Sequence, residues 1–184
     1  MPRSSIACLS FLTLAACGEF PRDYYVDVRY NAAEYAEVKS AVAEVNRLAK
    51  LVDADELINL AGRFTDDNDA FEQNNVDNDR NEIYRIGEAE ECLGFVDRYR
   101  DKFGDLDDLY GYYTGTDIGI LMFNSVRDNR PLKFLIMHEL GHAVGMKHVT
   151  GNRNAVMHPH ACCAENFTQA DREQFCLQHG CDPD

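Results

Sequence analysis

Apolar and polar residues recur along this chain with two periods, one typical of strands and one typical of helices. Every second residue is apolar across Tyr24–Tyr30, which predicts a strand. A long amphipathic helix is predicted over Ala32–Val52, and a second helical stretch over Ala54–Ala61, ended by Gly62. Further strands are predicted at Glu82–Ile86 and Ile118–Phe123, with Tyr110–Tyr113 as one more candidate.

Another helix is predicted in the C-terminal third. Asp128 or Asn129 can cap it, and Pro131 suits its first turn. Five apolar residues fall near the spacing of one helix face: Leu132, Leu135, Ile136, Leu140 and Val144. That face is interpreted as core, with Met137 and Met146 as packing residues and not metal ligands.

The same helix carries the pattern H-E-x-x-H-x-x-G-x-x-H, which begins at His138 and ends at His148. His138 and His142 lie one turn apart, so both imidazoles can bind one Zn²⁺. Gly145 can adopt φ > 0 at little cost, which lets the chain turn back and bring His148 in as a third ligand. The fourth position is left to water.

Three neutral imidazoles leave the zinc ion its full charge, which lowers the pKa of a bound water toward about 7 and polarises a nearby carbonyl. Glu139 follows the first ligand, and its carboxylate suits a general base that later returns the proton to the leaving amine. The pattern therefore predicts peptide-bond hydrolysis with Glu139 as the catalytic residue.

The stretch from His138 to His148, followed by Met157 in Asn154–Pro159, resembles the metzincin clan of zinc metalloproteases. The resemblance implies an α+β, metzincin-like zincin fold. Such a fold has a mixed β-sheet, a long N-terminal helix, a zinc-binding active-site helix, a Met-turn and a C-terminal helix. It also implies that Met157 supports the three histidines from below and is not itself a ligand.

Within the clan, Met157–Pro159 and Asn166–Asp171 look most like the matrixin turn and the start of the matrixin C-terminal helix. Val149, Pro159 and Ala161 differ from the residues typical of the subfamilies, so subfamily and substrate preference stay open. By the same resemblance, Ile118–Asn124 is expected to be the strand nearest the cleft, where an extended peptide could add to its edge. A buried strand with no substrate role is the alternative.

The N-terminus has the features of an exported lipoprotein. Arg3 precedes a short apolar stretch, and Leu14–Cys17 resembles the lipobox of bacterial lipoproteins, in which the cysteine is lipidated. This predicts a signal peptide over residues 1–16, lipidation at Cys17 and a short tether to residue 23. By resemblance, Gly18 after the cysteine favours outer-membrane sorting. A buried N-terminal helix is the alternative.

Removal of residues 1–16 would leave 168 of the 184 residues, which suits one catalytic domain over residues 24–184. We expect a monomer, anchored to the lipid bilayer through its N-terminal lipid and acting on a peptide or protein substrate. The formal charge of −14 argues against nucleic-acid binding.

The segment Thr65–Glu82 is rich in Asp, Asn and Glu. Its alternating oxygens could bind Ca²⁺, but Glu82 stands where an EF-hand loop has its glycine. A solvated acidic loop is the preferred interpretation, with calcium as the alternative.

Five cysteines remain once Cys8 and Cys17 are set aside with the signal and the lipid: Cys92, Cys162, Cys163, Cys176 and Cys181. An oxidising compartment would permit two disulfides. The economical pairing joins Cys162 and Cys163 to Cys176 and Cys181, although sequence alone leaves the pairings open. A cysteine zinc cluster is the rival interpretation.

His158, His160 and His179 are left out of the metal shell, because a fourth imidazole would close the position that catalysis needs. Two functions are carried forward. The first is a membrane-tethered zinc endopeptidase. The second is a non-catalytic zinc-binding lipoprotein that uses the protease fold as a binding module, against which the intact Glu139 counts.

Overall fold

A mixed sheet and three α-helices make up the part of the chain that the computed structural model describes, namely residues 20–65, 80–87, 110–122, 131–160 and 164–183. The strands are β1 Arg22–Asp27, β2 Ile58–Phe64, β3 Asn81–Ile86, β4 Gly111–Tyr113 and β5 Ile118–Leu121. The helices are α1 Ala32–Asn46, α2 Leu132–Ala143 and α3 Gln169–His179, with a 3₁₀ helix at Arg47–Val52. The predicted α+β class is confirmed.

The strand order is β2-β1-β3-β5-β4, and all neighbours are parallel except β4 and β5. A tight turn joins that antiparallel pair, with Thr114 N–H donating to the Asp117 carbonyl at 2.9 Å and Gly115 at φ +108°. β5 is therefore paired on both sides. The expectation that Ile118–Asn124 offers a free edge is wrong, because β4 lies outside it and forms the edge of the described sheet.

The long first helix begins at a capping box. The Asn31 side chain accepts hydrogen bonds from the backbone N–H groups of Ala33 and Glu34, and the Glu34 carboxylate accepts one from Asn31 N–H. The α-helix ends at Asn46 and continues as the 3₁₀ helix to Val52, so the predicted helix is confirmed with a tighter last part. α1 packs against α2.

The helix predicted over Ala54–Ala61 is wrong, since β2 occupies much of this stretch and Gly62 lies inside the strand. The Asn46 side chain explains the start of β2. It accepts hydrogen bonds from the N–H groups of Leu57 and Ile58 and donates to the Ile58 carbonyl, all at 2.8–2.9 Å. Parallel pairing with β1 then overrides a short helical pattern.

The other strand predictions are confirmed with shifted ends. β1 stops at Asp27, before the predicted end at Tyr30, because the Asp27 carboxylate accepts hydrogen bonds from Arg29 N–H and Arg85 N–H and the chain turns there. The strands near residues 82–86, 110–113 and 118–121 are present. One cluster of buried apolar side chains joins the sheet to all three helices.

Several predictions concern residues outside the described ranges. These are the signal peptide and Cys17, nearly all of the acidic segment that was considered for Ca²⁺, the capping candidates Asp128 and Asn129, and three cysteines, Cys92, Cys162 and Cys163. No helix in the described ranges combines the length and the apolarity needed to cross a bilayer.

Candidate metal centre

α2 presents two histidines on one face while its other side is buried. Pro131, predicted to lie in the first turn, occupies the N-cap, so the helix begins later than predicted and ends at Ala143. The predicted core face lies in the hydrophobic cluster, as do Met137 and Met146, which confirms both methionines as packing residues. The buried side fixes the rotation of α2 about its axis, and thereby the direction in which His138 and His142 project.

The chain reverses directly after α2. Gly145 has φ +90°, its N–H donates to the His142 carbonyl, and Met146 N–H donates to the Gly141 carbonyl, both at 2.9 Å. A residue with a Cβ would be strained in this left-handed conformation. The turn brings His148 back toward α2.

Three imidazoles converge as a result. The ring centroids of His138, His142 and His148 lie 4.9–5.3 Å apart. One candidate ligand atom from each lies within 4.8 Å of the other two. In the described part of the chain, this is the group of His, Cys, Asp and Glu side chains that could hold a metal ion.

Hydrogen bonds to the backbone set the tautomers of two of these rings. Nδ1–H of His138 donates to the Val156 carbonyl at 2.7 Å, and Nδ1–H of His142 donates to the Met146 carbonyl at 2.9 Å. With the proton on Nδ1, each Nε2 carries the lone pair that can bind a metal. Imidazole nitrogens suit zinc, copper, iron and nickel, whereas calcium and magnesium prefer oxygen ligands.

Burial also favours the neutral, metal-binding form of the imidazoles. Desolvation lowers the pKa of His142 below its ordinary value. The pKa of His148 is lowered by burial and by the neighbouring His142, His158 and His160. At neutral pH, protons therefore compete weakly for both nitrogens.

Glu139 lies beside the histidine group without belonging to it. Its side chain is 7% exposed, and burial raises its pKa to about 8. It packs against Gly111 of β4 so closely that a Cβ at that position would lie 2.7 Å from Oε1. No sequence pattern singles out Gly111 as a site residue.

A cleft of about 570 Å³ opens over the three histidines. One wall is β4 with Tyr110, and the other is the segment His158–His160. The floor includes Phe134 and Leu135 together with the three histidines and Glu139. The walls are mostly aromatic, so they offer a bound ligand large apolar contact surfaces.

Met157 forms the base beneath α2. It is fully buried, and its sulfur packs against Gly141, where a Cβ would overlap it. A glycine inside a helix costs about 1 kcal/mol relative to alanine, which is a signal that could have identified Gly141 as a point of close approach. The methionine and the glycine together set the distance between α2 and the turn below it.

Asp171, in the first turn of α3, holds that turn in place. Its buried carboxylate accepts hydrogen bonds from Val156 N–H and Met157 N–H at 2.9 Å, and from the N–H and hydroxyl of Thr168 at 2.8 Å. The sequence analysis did not select Asp171 as a site residue. The capping-box spacing of Thr168 and Asp171 was the available signal.

The remaining histidines lie in two places. His158 and His160 line the cleft, outside the group of three. Nε2–H of His179 donates to the Val144 carbonyl at 2.7 Å, and its ring stacks on Phe175 with centroids 4.3 Å apart. His179 thus supports the turn at Gly145 from behind.

The disulfide in the described region joins Cys176 to Cys181, so the expected bridges from Cys162 and Cys163 to these two cysteines are wrong. Gly180 ends α3 in the left-handed conformation and turns the chain back, which brings the two Cα atoms to 4.5 Å. The bridge closes the end of α3 around His179.

Comparison of the chain with protein-family models and with curated proteins finds no match. What the site can do is therefore inferred from its side chains. Three convergent imidazoles and a buried carboxylate border one aromatic cleft. Such an arrangement can hold a metal ion and a proton acceptor next to a bound ligand.

The raised pKa of Glu139 predicts a pH-dependent cost in the metal-free protein. A carboxyl whose pKa rises from 4.5 to about 8 on folding contributes stability below pH 4.5 and loses it as the pH rises through about 8. We expect metal-free Glu139→Gln to unfold at higher urea than the parent at pH 8, with a gain of up to about 4 kcal/mol, and at nearly the same urea at pH 5.

Glu173→Gln on the exposed side of α3 is the matched control, since it removes one carboxylate without changing the cleft. It should unfold like the parent at both pH values. Equal stability of Glu139→Gln and the parent at pH 8 would contradict the burial of an ionisable carboxyl at this position.

A second prediction concerns Asp171. In Asp171→Asn, the new amide NH₂ group would point at N–H or O–H donors, and two donors cannot form a hydrogen bond. We therefore expect a loss of about 3 kcal/mol in the free energy of unfolding. Metal affinity should fall as well, because the Val156 carbonyl that orients His138 shifts with the turn. Urea unfolding and metal titration measure the two effects, with Glu173→Gln as the charge-matched control. A loss below about 1 kcal/mol would contradict the buried hydrogen-bond network.

Proposed function

We propose that this protein is a zinc-dependent endopeptidase of the metzincin type. The observation that carries the proposal is the meeting of three oriented imidazoles and the Glu139 carboxylate at the floor of one cleft. Support also comes from the H-E-x-x-H-x-x-G-x-x-H pattern and from the buried Met157 beneath it. A binding protein would not need a carboxylate beside its metal ligands.

The donor set fits zinc in a catalytic site. His138, His142 and His148 supply three nitrogens and leave the cleft side of the group open. When bound, a zinc ion lowers the pKa of a water molecule toward about 7 and polarises a peptide carbonyl. Because neutral imidazole ligands carry no charge, a bound zinc ion keeps the positive charge that this chemistry requires.

Glu139 acts as the proton carrier. Burial alone favours its protonated form. A zinc ion beside it would favour the carboxylate, which accepts a proton from the attacking water and returns it to the leaving amine. The close contact with Gly111 of β4 holds the carboxyl at the cleft floor. A peptide bound between the aromatic side chains of the cleft would displace water and strengthen these electrostatic interactions.

β4 is the element best placed to bind an extended peptide. It borders the cleft and forms the edge of the described sheet, so a substrate strand could add to its outer side by backbone hydrogen bonds. A peptide bound this way crosses the three histidines. This replaces the strand first expected to hold the substrate, which lies one position further inside the sheet.

The proposal includes a membrane tether. Residues 1–16 have the charge, apolar stretch and small-residue site of a lipoprotein signal, and Cys17 follows them. A lipidated Cys17 would place the catalytic domain close to a bacterial outer membrane. Phe20, three residues later, packs near His179 with ring centroids 5.7 Å apart. Such a tether would therefore start on the side of the domain where His179 supports the Gly145 turn.

The test compares the parent with Glu139→Gln in the full chain, kept in mild detergent and under non-reducing conditions. Metal content is measured together with cleavage of a peptide library. We expect one zinc per chain in both proteins, cleavage by the parent, and a loss of at least about a hundredfold in the variant, within the range for a general base. Cleavage should also stop on chelation and return with zinc.

Glu173→Gln is the matched control and should cleave like the parent. Zinc in both proteins with cleavage in neither would favour the zinc-binding module over the enzyme. Cleavage that survives Glu139→Gln would remove Glu139 from the mechanism.

A further inference from the structure

His158 is a buried side chain that the proposed chemistry does not use. It follows Met157, is only 8% exposed, and lines the cleft. The backbone N–H of His160 donates to its Nδ1 at 3.1 Å. Nδ1 must therefore carry a lone pair, so the proton of the neutral ring lies on Nε2.

Among the described residues, the bond from His160 N–H is the one hydrogen bond of the His158 side chain. Its Nε2–H group therefore has no acceptor among them. In those residues, every fully buried side-chain nitrogen or oxygen has a hydrogen-bond partner. Because Nε2 of His158 has none, it is not fully buried, and it is accessible from the cleft that His158 lines. A fixed ring thus presents an unused donor to whatever occupies the cleft.

The neighbouring groups define what this donor can recognise. Among the described residues that line the cleft there is no lysine or arginine, and the carboxylate among them, Glu139, lies at the floor. The hydroxyl of Tyr113 is already committed to the Gly115 carbonyl. The imidazole of His160 lies beside His158, with ring centroids 6.1 Å apart. Two imidazoles therefore form the polar part of one cleft wall.

We propose that His158 recognises a carboxylate side chain of the peptide substrate, so that the cleft selects peptides with Asp or Glu beside the scissile bond. This inference depends on the proposed peptidase function. A carboxylate is the strongest acceptor for such a donor, and charge assistance roughly doubles the strength of the hydrogen bond. A substrate without an acceptor would bury Nε2–H unpaired, which sites of this kind reject strongly.

The test measures binding without cleavage. Zinc-loaded Glu139→Gln is titrated with pairs of peptides that differ only in Glu against Gln, with the position moved along an otherwise constant sequence. We expect the Glu peptide to bind at least tenfold more tightly at one position. Adding His158→Phe, which keeps the ring and removes the donor, should bring the Glu peptide to the affinity of its Gln partner. The affinity for the Gln peptide should change by less than about twofold when His158→Phe is added.

His158→Gln restores a side-chain N–H and should recover part of the preference. Equal affinity for Glu and Gln peptides at every position overturns the inference. An equal loss for both peptides in His158→Phe also overturns it, because the donor would then bind the substrate backbone.

Two results keep this inference distinct from the proposed function. If the parent cleaves no peptide but Glu139→Gln binds the Glu peptide preferentially through His158, the peptidase proposal fails and carboxylate recognition stands. If His158→Phe does not fold, NMR of ¹⁵N-labelled histidine in the Glu139→Gln protein decides. The His158 Nε2–H signal should shift with the Glu peptide and not with the Gln peptide, and a signal that responds equally to both overturns the inference.

Discussion

The hydrogen bonds of the Asp171 carboxylate are the interaction on which the rest of the site depends. Asp171 holds the N–H groups of Val156 and Met157, and both residues support the candidate metal ligands. The Val156 carbonyl orients His138, while the Met157 side chain packs beneath α2. The Met157 carbonyl also accepts a hydrogen bond from Val149 N–H at 2.9 Å, next to His148. One buried carboxylate on α3 thus positions the turn that supports two ligands and neighbours the third.

The features that sequence predicts correctly are the ones fixed by short-range geometry. Helical spacing places His138 and His142 on one face, and a glycine at position 145 allows the reversal that returns His148. The short apolar stretches around residues 82–86 and 118–121 similarly identify strands. Each of these features depends on a local pattern or on one backbone conformation, so no knowledge of distant partners is needed.

The predictions that fail depend on partners far along the chain. β2 was predicted as a helix because its short pattern is ambiguous, and pairing with β1 together with the Asn46 side chain decides in favour of a strand. The sequence of β5 could not show that it lies inside the sheet, because β4 covers it only in the folded structure. The Cys176–Cys181 bridge follows from the left-handed turn at Gly180. The contact of Gly111 with Glu139 likewise arises only from tertiary packing.

An open metal centre at the three histidines has a direct signature in X-ray absorption at the zinc edge. On the zinc-loaded full chain, we expect three imidazole nitrogens at about 2.0–2.1 Å and one oxygen that no protein side chain supplies. His142→Ala should abolish this spectrum. A sulfur ligand, a fourth imidazole, or an unchanged spectrum in His142→Ala would show that the three histidines do not form an open metal centre.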